Sequence, residues 1–169
     1  MSTLIVGREP VVEAWLEQRR TLGQDRRDEV WEGVLHVAPY EHTRNGVVAM
    51  QLVALFTARA RAAGLVAGGS FNLGDARDFR IPDLGWHRGA PSTHAVSAAV
   101  VVEVLSPDDE TWQKFGFYAA HGVEELWVVD PLERTARVWA LADGAYDERG
   151  TSPLLGLSTA DVVAGVDWP

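Results

Sequence analysis

Glu103 is the residue that most strongly suggests chemistry, because it interrupts the apolar run AAVVVEVL at residues 98–105. A run of this kind predicts a central strand that is buried on both faces. Burying a carboxylate there is costly unless the group is paired, hydrogen-bonded or coordinated. Glu103 is therefore half of an ion pair in the core, a residue on the exposed side of the sheet, or a functional carboxylate at the end of a strand, where α/β proteins tend to place their sites.

Asp83 is a second acid in a strand-like segment, where it follows Pro82 in FRIPDLGW. If the strands that carry Asp83 and Glu103 are neighbours, their carboxylates can converge on one divalent cation. Mg²⁺ and Mn²⁺ prefer oxygen ligands of this kind and keep water molecules for a reaction. The two acids together indicate a metal site.

Lys114 is the only lysine in the chain, and the other 14 of its 15 basic residues are arginine. It lies eleven residues after Glu103, on a predicted helix whose same face carries Phe117 and Tyr118. A lysine on a helix face is commonly a solvated charge that contributes little to stability. Because it is the only lysine, we expect it to face the two acids instead.

The composition indicates a globular protein, with 169 residues of which 47 % are hydrophobic and 23 % are charged. We expect a single domain over residues 1–169. The net charge of −9 has the wrong sign for nucleic-acid binding through bulk electrostatics, unless a metal neutralises an acidic site. No apolar run reaches the ~18–20 residues of a membrane span, no secretory signal is visible and cysteine is absent. We therefore expect a cytoplasmic bacterial protein.

The elements that position these residues follow the order α-β-α-β-β-β-α-β-β, judged from hydrophobic periodicity and turn signals. Helices are predicted at 10–22, 42–63 and 109–121. Strands are predicted at 29–37 (a strand or a hairpin), 65–73, 78–87, 98–105, 125–130 and 135–141. This order predicts one α/β domain with a mixed central sheet flanked by helices.

These residues also resemble a known family. Asp83 in IPDL, Glu103 in VVEVLSP, Lys114 in the next helix and then YAAHGVEELWVVDP are similar to the Uma family of candidate bacterial restriction endonucleases. That family belongs to the restriction-endonuclease-like PD-(D/E)XK nuclease superfamily. The resemblance runs from DEVWEGVLHVAP to the final GVDWP and is most specific at Val101–Pro131. The usual superfamily lysine would stand at Leu105, and Lys114 matches a lysine relocated to the following helix.

The resemblance implies a restriction-endonuclease-like core and a set of site residues. Asp83 and Glu103 would bind Mg²⁺ or Mn²⁺, with the backbone carbonyl of Val104 as a third ligand. Lys114 would orient or activate the attacking water and stabilise the charge that develops on the phosphate. The implied activity is metal-dependent hydrolysis of DNA phosphodiester bonds, and a homodimer would suit cleavage of a duplex.

Other candidates come from the N-terminal part of the chain. The superfamily often has an additional acid there, for which Glu32 in VWEGV is the first candidate and Glu29 the second. His42 either contacts a phosphate or a metal-bound water, or only caps the helix that it opens. The pairs Arg19-Arg20 and Arg26-Arg27 are either phosphate contacts or solvated surface charges.

Two other functions stay open. One is a catalytically inactive module with a nuclease fold that acts by binding protein or nucleic acid, which the net charge favours. The other is a metal-free hydrolase such as a glycosidase, in which Asp83 and Glu103 would be the acid and base pair. A requirement for Mg²⁺ would distinguish the nuclease from the glycosidase.

Overall fold

The computed structural model describes residues 3–5, 7, 9–39, 42–90, 92–107 and 109–169. Its helices are α1 (Pro10–Thr21), α2 (Thr43–Ala62), α3 (Phe115–Ala120) and α4 (Thr159–Gly165), and a 3₁₀ turn (Thr111–Lys114) directly precedes α3. Its strands are β1 (Thr3–Ile5), β2 (Glu29–Trp31), β3 (Val34–Val37), β4 (Val66–Gly68), β5 (Asn72–Gly74), β6 (Phe79–Arg80), β7 (Leu84–His87), β8 (His94–Ala95), β9 (Val100–Val104), β10 (Glu125–Asp130), β11 (Thr135–Ala142) and β12 (Ala145–Arg149). None of the helices in these ranges has the length and apolar character to cross a bilayer.

The described strands form two mixed sheets of six strands each. The N-terminal sheet has the order β1-β3-β2-β6-β5-β8, and the C-terminal sheet has the order β12-β11-β10-β9-β7-β4. One neighbouring pair in each sheet is parallel, β5 with β8 and β9 with β10. The expected mixed α/β fold is confirmed, with the difference that its strands are divided between two sheets.

Two predicted strands pass from one sheet to the other, which is why there are two sheets. The segment predicted at 65–73 forms β4 and then β5, and the segment predicted at 78–87 forms β6 and then β7. The second crossover contains Pro82, which has no N–H to donate to a sheet ladder. Asp83 therefore lies at the point where the chain enters the C-terminal sheet.

β9 is an interior strand of the C-terminal sheet, as predicted, and lies between β10 and β7. Its side chains alternate between the two faces of the sheet. Val100, Val102 and Val104 belong to the core that packs against α2 and α4. Val101 packs with Tyr118 of α3 on the other face, where Glu103 also contacts Tyr118. The alternation thus directs the carboxylate of Glu103 toward α3.

α2 is the longest described helix and confirms the helix predicted at 42–63. His42 is its N-cap, with its side chain accepting a hydrogen bond from the backbone N–H of Arg44 at 3.1 Å. Val48, Leu52 and Phe56 lie on one side of the helix and are fully buried against the C-terminal sheet. This packing holds the first turn of α2 beside the end of β9.

Two helices differ from the expectation. The helix predicted at 109–121 is a 3₁₀ turn followed by six residues of α3, because the Asp109 carboxylate accepts hydrogen bonds from the backbone N–H groups of Ser106 and Thr111 and holds the preceding segment as a loop. α4 was not predicted at all. Ser158 and Asp161 form a capping box at its start, a signal that the sequence contains.

Candidate active site

A cleft of about 580 Å³ lies between the N-terminal sheet and the end of β9. Residues of β2, β3, the first turn of α2, the crossover before β7 and the loop after β9 form its walls. Asp83, Glu103, Val104 and Lys114 all line this cleft. The structure therefore brings together the four residues that the family resemblance assigns to one site.

Glu103 is 3 % exposed and is held by two donors from the segment that follows β9. Its Oε1 accepts hydrogen bonds from Lys114 Nζ at 3.2 Å and from the Tyr118 hydroxyl. Burial raises the pKa of Glu103 to about 8; the ammonium of Lys114 opposes this rise and the nearby carboxylate of Asp83 adds to it. The buried carboxyl group is thus balanced between its neutral and its charged form near neutral pH.

Asp83 lies opposite Glu103 in the continuation of the β7–β9 register, in which Leu84 pairs with Val102. Its Oδ2 accepts a hydrogen bond from the backbone N–H of Val104 at 2.8 Å, and its Oδ1 accepts one from Arg27 at 2.8 Å. The expected arrangement of two acids on neighbouring strands is therefore present. Their proximity also explains why Asp83 contributes to the raised pKa of Glu103.

Lys114 ends the 3₁₀ turn and is 9 % exposed, so it is not a solvated helix-face lysine. Its Nζ donates to Glu29 Oε1 at 2.9 Å and to Glu103 Oε1 at 3.2 Å. Burial alone would lower the pKa of Lys114, but the charges of Glu103 and Glu29 outweigh it and hold that pKa above its usual value. The ammonium accordingly keeps its proton at neutral pH.

The structure places Glu29, and not Glu32, beside Lys114. Glu32 is the first residue of the two-residue turn between β2 and β3, with a left-handed φ of 50°, and its exposed side chain does not line the cleft. Glu29 is the buried first residue of β2 and also accepts hydrogen bonds from the Ile81 N–H at 2.7 Å and the Trp31 indole at 2.6 Å. Of the two candidates for the additional acid, the structure thus brings the second, Glu29, to the cleft and leaves the first, Glu32, outside it.

Glu29→Gln is expected to lower the free energy of unfolding by about 1–3 kcal/mol, because a buried hydrogen bond between two charged groups loses one charge. Glu32→Gln is the matched control, three positions later on the exposed turn, and we expect a change of no more than about 0.5 kcal/mol. Urea denaturation followed by tryptophan fluorescence measures both. Equal effects of the two substitutions would contradict the placement of Glu29.

Asn45 is a cleft residue that sequence reasoning missed. It is 4 % exposed, and its Nδ2 donates to the Val104 carbonyl at 3.2 Å, the Leu105 carbonyl at 3.3 Å and Ser106 Oγ at 2.8 Å. Two of these partners are carbonyls, which only accept, so the amide nitrogen must face them. The sequence did contain a signal for it, because Asn45 lies on the same face of the helix as the apolar residues Val48 and Leu52.

The structure places His42 and members of the two arginine pairs differently with respect to the cleft. His42 is exposed, caps α2 and does not line the cleft, so the structure shows the capping role alone. Arg19 is buried and bonded to Asp28 at 2.8 Å. Arg27 contacts Asp83 at the cleft, which sequence spacing could not indicate because 56 residues separate them.

Some buried polar side-chain atoms at the cleft have no hydrogen-bond partner within the described ranges of the protein. Among the described residues there are seven such side-chain atoms, and three of them, Arg19 Nε, His36 Nδ1 and Asn45 Oδ1, belong to residues that line it. Buried polar groups normally have partners, so these three atoms are the cleft atoms with hydrogen-bonding capacity still to offer. In the same described ranges, no three His, Asp or Glu side chains already converge as a metal-binding group.

Comparison with known proteins gives one family and one fold. A family model, Uma2, described as "Putative restriction endonuclease", matches residues 13–168. No curated protein matches the chain. A crystal structure of "a putative nuclease belonging to DUF820 from Anabaena variabilis ATCC 29413" superposes with a TM-score of 0.67, at 16 % identity, over 89 % of this chain and 97 % of that chain. At this level of identity the likeness concerns the fold.

Proposed function

Because the chain belongs to the Uma2 family, which is described as "Putative restriction endonuclease", we propose that it is a metal-dependent endonuclease that hydrolyses DNA phosphodiester bonds in the cleft. The family match confirms the resemblance found in the sequence. The observation that carries the proposal is the position of Lys114, the only lysine, whose buried ammonium lies between Glu29 and Glu103. An ammonium held in this way beside Glu103 can stabilise the charge that develops on a phosphate during hydrolysis.

The oxygen atoms of the cleft fit Mg²⁺ or Mn²⁺. Asp83, Glu103 and the Val104 carbonyl would hold the ion, and the unpartnered Oδ1 of Asn45 is a further buried acceptor beside them. Hard divalent cations prefer such an all-oxygen donor set. When bound, the ion would supply the Lewis acidity that polarises a phosphate and acidifies water.

Lys114 acts as a hydrogen-bond donor and a fixed positive charge in this proposal. Its raised pKa argues against a role as a general base, since the ammonium keeps its proton. Hydrolysis adds a water oxygen to phosphorus and breaks one P–O bond, and negative charge builds up on the phosphoryl oxygens. A preorganised ammonium stabilises that charge. Glu29 positions Lys114 through the 2.9 Å contact between Oε1 and Nζ.

DNA is the proposed partner in spite of the net charge of −9. With so few basic groups, affinity would depend on the bound cation and on the few basic side chains at the cleft, instead of on a broad basic surface. We propose that two copies act together where both strands of a duplex are cut. Action on bacterial DNA also implies a cytoplasmic location.

Incubation of plasmid DNA with the purified protein tests the proposal. Nicked or linear product is expected with Mg²⁺ or Mn²⁺, no product with EDTA, and no product from Asp83→Asn under any of these conditions. The absence of hydrolysis by the wild type on supercoiled, linear and single-stranded DNA would favour the inactive nuclease-fold module. Metal-independent hydrolysis of a glycoside would favour the glycosidase.

A further inference from the structure

Asp83 has both carboxylate oxygens occupied by other groups of this chain. Oδ2 accepts from the Val104 N–H and Oδ1 from Arg27, each at 2.8 Å. Val104 is fixed within its strand by pairing with Val129 of β10. The Arg27 side chain is 39 % exposed and belongs to the loop between α1 and β2. Of the two partners, Arg27 is the one that can leave Asp83.

A divalent cation on Asp83 competes with Arg27 for the same carboxylate. The ion and the guanidinium are both positive, and they repel each other strongly at contact distance in a partly buried site. The ion also binds Glu103 and the Val104 carbonyl in the proposed function, whereas the Arg27 side chain is partly exposed and lies on a loop. The guanidinium is therefore the group displaced.

A cation on Asp83 would not displace the other basic side chains of the cleft in the same way. Arg19 is buried and bonded to Asp28 and to the Gln24 carbonyl. Lys114 is held between two buried carboxylates. Arg26 is exposed at the cleft and, in the part of the chain that the structure describes, does not bond Asp83. A planar guanidinium matches two oxygens of a phosphate, so a displaced Arg27 is suited to bind one.

We propose that Arg27 exchanges partners: it neutralises Asp83 in the cation-free protein, and when a divalent cation binds it turns to a phosphate of the DNA backbone. The inference rests on the proposed function and adds a substrate-binding residue to it. Cation and DNA then bind cooperatively, because the ion releases the group that the phosphate takes up. By linkage, DNA strengthens cation binding to the same extent.

The affinities of the Arg27→Gln variant for Mn²⁺ and for DNA test the exchange, because we expect them to change in opposite directions. Mn²⁺ affinity without DNA, measured by electron paramagnetic resonance, is expected to rise about two- to fivefold, since the competing ion pair is gone. Affinity for a labelled DNA duplex in Ca²⁺ is expected to fall about tenfold. The slope of log affinity against log salt is expected to fall by about one. In EDTA, DNA affinity should equal that of the wild type.

Two variants serve as controls. Arg26→Gln removes the same charge from the same cleft and should leave Mn²⁺ affinity unchanged. Arg27→Lys keeps the ion pair and the fold, so Mn²⁺ affinity should stay near the wild-type value while DNA affinity in Ca²⁺ falls.

The possible results separate this inference from the proposed function. If the wild type binds Mn²⁺ but Arg27→Gln does not bind it more tightly, the exchange is wrong and the metal site stands. If Arg27→Gln weakens DNA binding equally in Ca²⁺ and EDTA, Arg27 contacts DNA permanently and the exchange is again wrong. If the wild type binds no Mn²⁺, the proposed metal site fails and the exchange fails with it.

Discussion

Lys114→Ala is expected to reduce Mg²⁺-dependent DNA cleavage by about 10²–10³-fold, the effect of losing one preorganised electrostatic contact. It is also expected to lower the free energy of unfolding by about 3–5 kcal/mol, because Glu29 and Glu103 would stay buried without their shared cation. A lysine on a solvated helix face would have given almost no loss of stability. Urea denaturation and cleavage rates at a temperature where the variant is folded measure the two effects.

Lys114→Arg separates the catalytic effect of this lysine from its effect on stability. Arginine keeps a positive charge between the two carboxylates, so most of the stability should return. Its guanidinium is larger, planar and spreads its charge, so cleavage should stay well below the wild-type rate. Full cleavage activity in folded Lys114→Ala would overturn the assigned role and favour the inactive module.

Glu103→Gln is expected to abolish cation binding and cleavage while making the cation-free protein more stable at alkaline pH. The pKa of Glu103 is about 8 in the folded protein, against an ordinary value of 4.5. Between these values the folded state holds a proton that the unfolded state has released. The free energy of unfolding of the wild type therefore falls as pH rises from about 4.5 to about 8, by up to about 1.4 kcal/mol per pH unit. The substitution removes this dependence.

Urea denaturation in EDTA, from about pH 5 to about pH 9, measures the pH dependence directly. Glu124→Gln is the control, because Glu124 is a half-exposed glutamate bonded to Arg88, and its substitution should leave the wild-type slope unchanged. A slope in Glu103→Gln equal to that of the wild type would show that the buried carboxyl is not the group that titrates.

Several features of the fold and the site follow from the sequence alone. Local periodicity is sufficient to identify α2, whose apolar stripe and N-cap are contained in a single segment. It also identifies β9 as a buried strand and Glu103 as its exceptional carboxylate. Pairing of neighbouring strands then brings Asp83 beside Glu103, since Leu84 pairs with Val102. Each of these predictions depends on residues that are close in sequence or on adjacent strands.

The tertiary structure alone decides which other groups reach the cleft. Glu29 and Glu32 both fit the sequence pattern, and only the position of the hairpin turn directs one inward and the other to solvent. Lys114 is buried because Glu29, 85 residues earlier in the chain, reaches it from the other sheet. Contacts over such separations depend on how two sheets pack, and the packing leaves no periodic signal in either segment. The sequence thus determined the two acids and the lysine, whereas the tertiary structure decided their partners, because those partners come from different sheets.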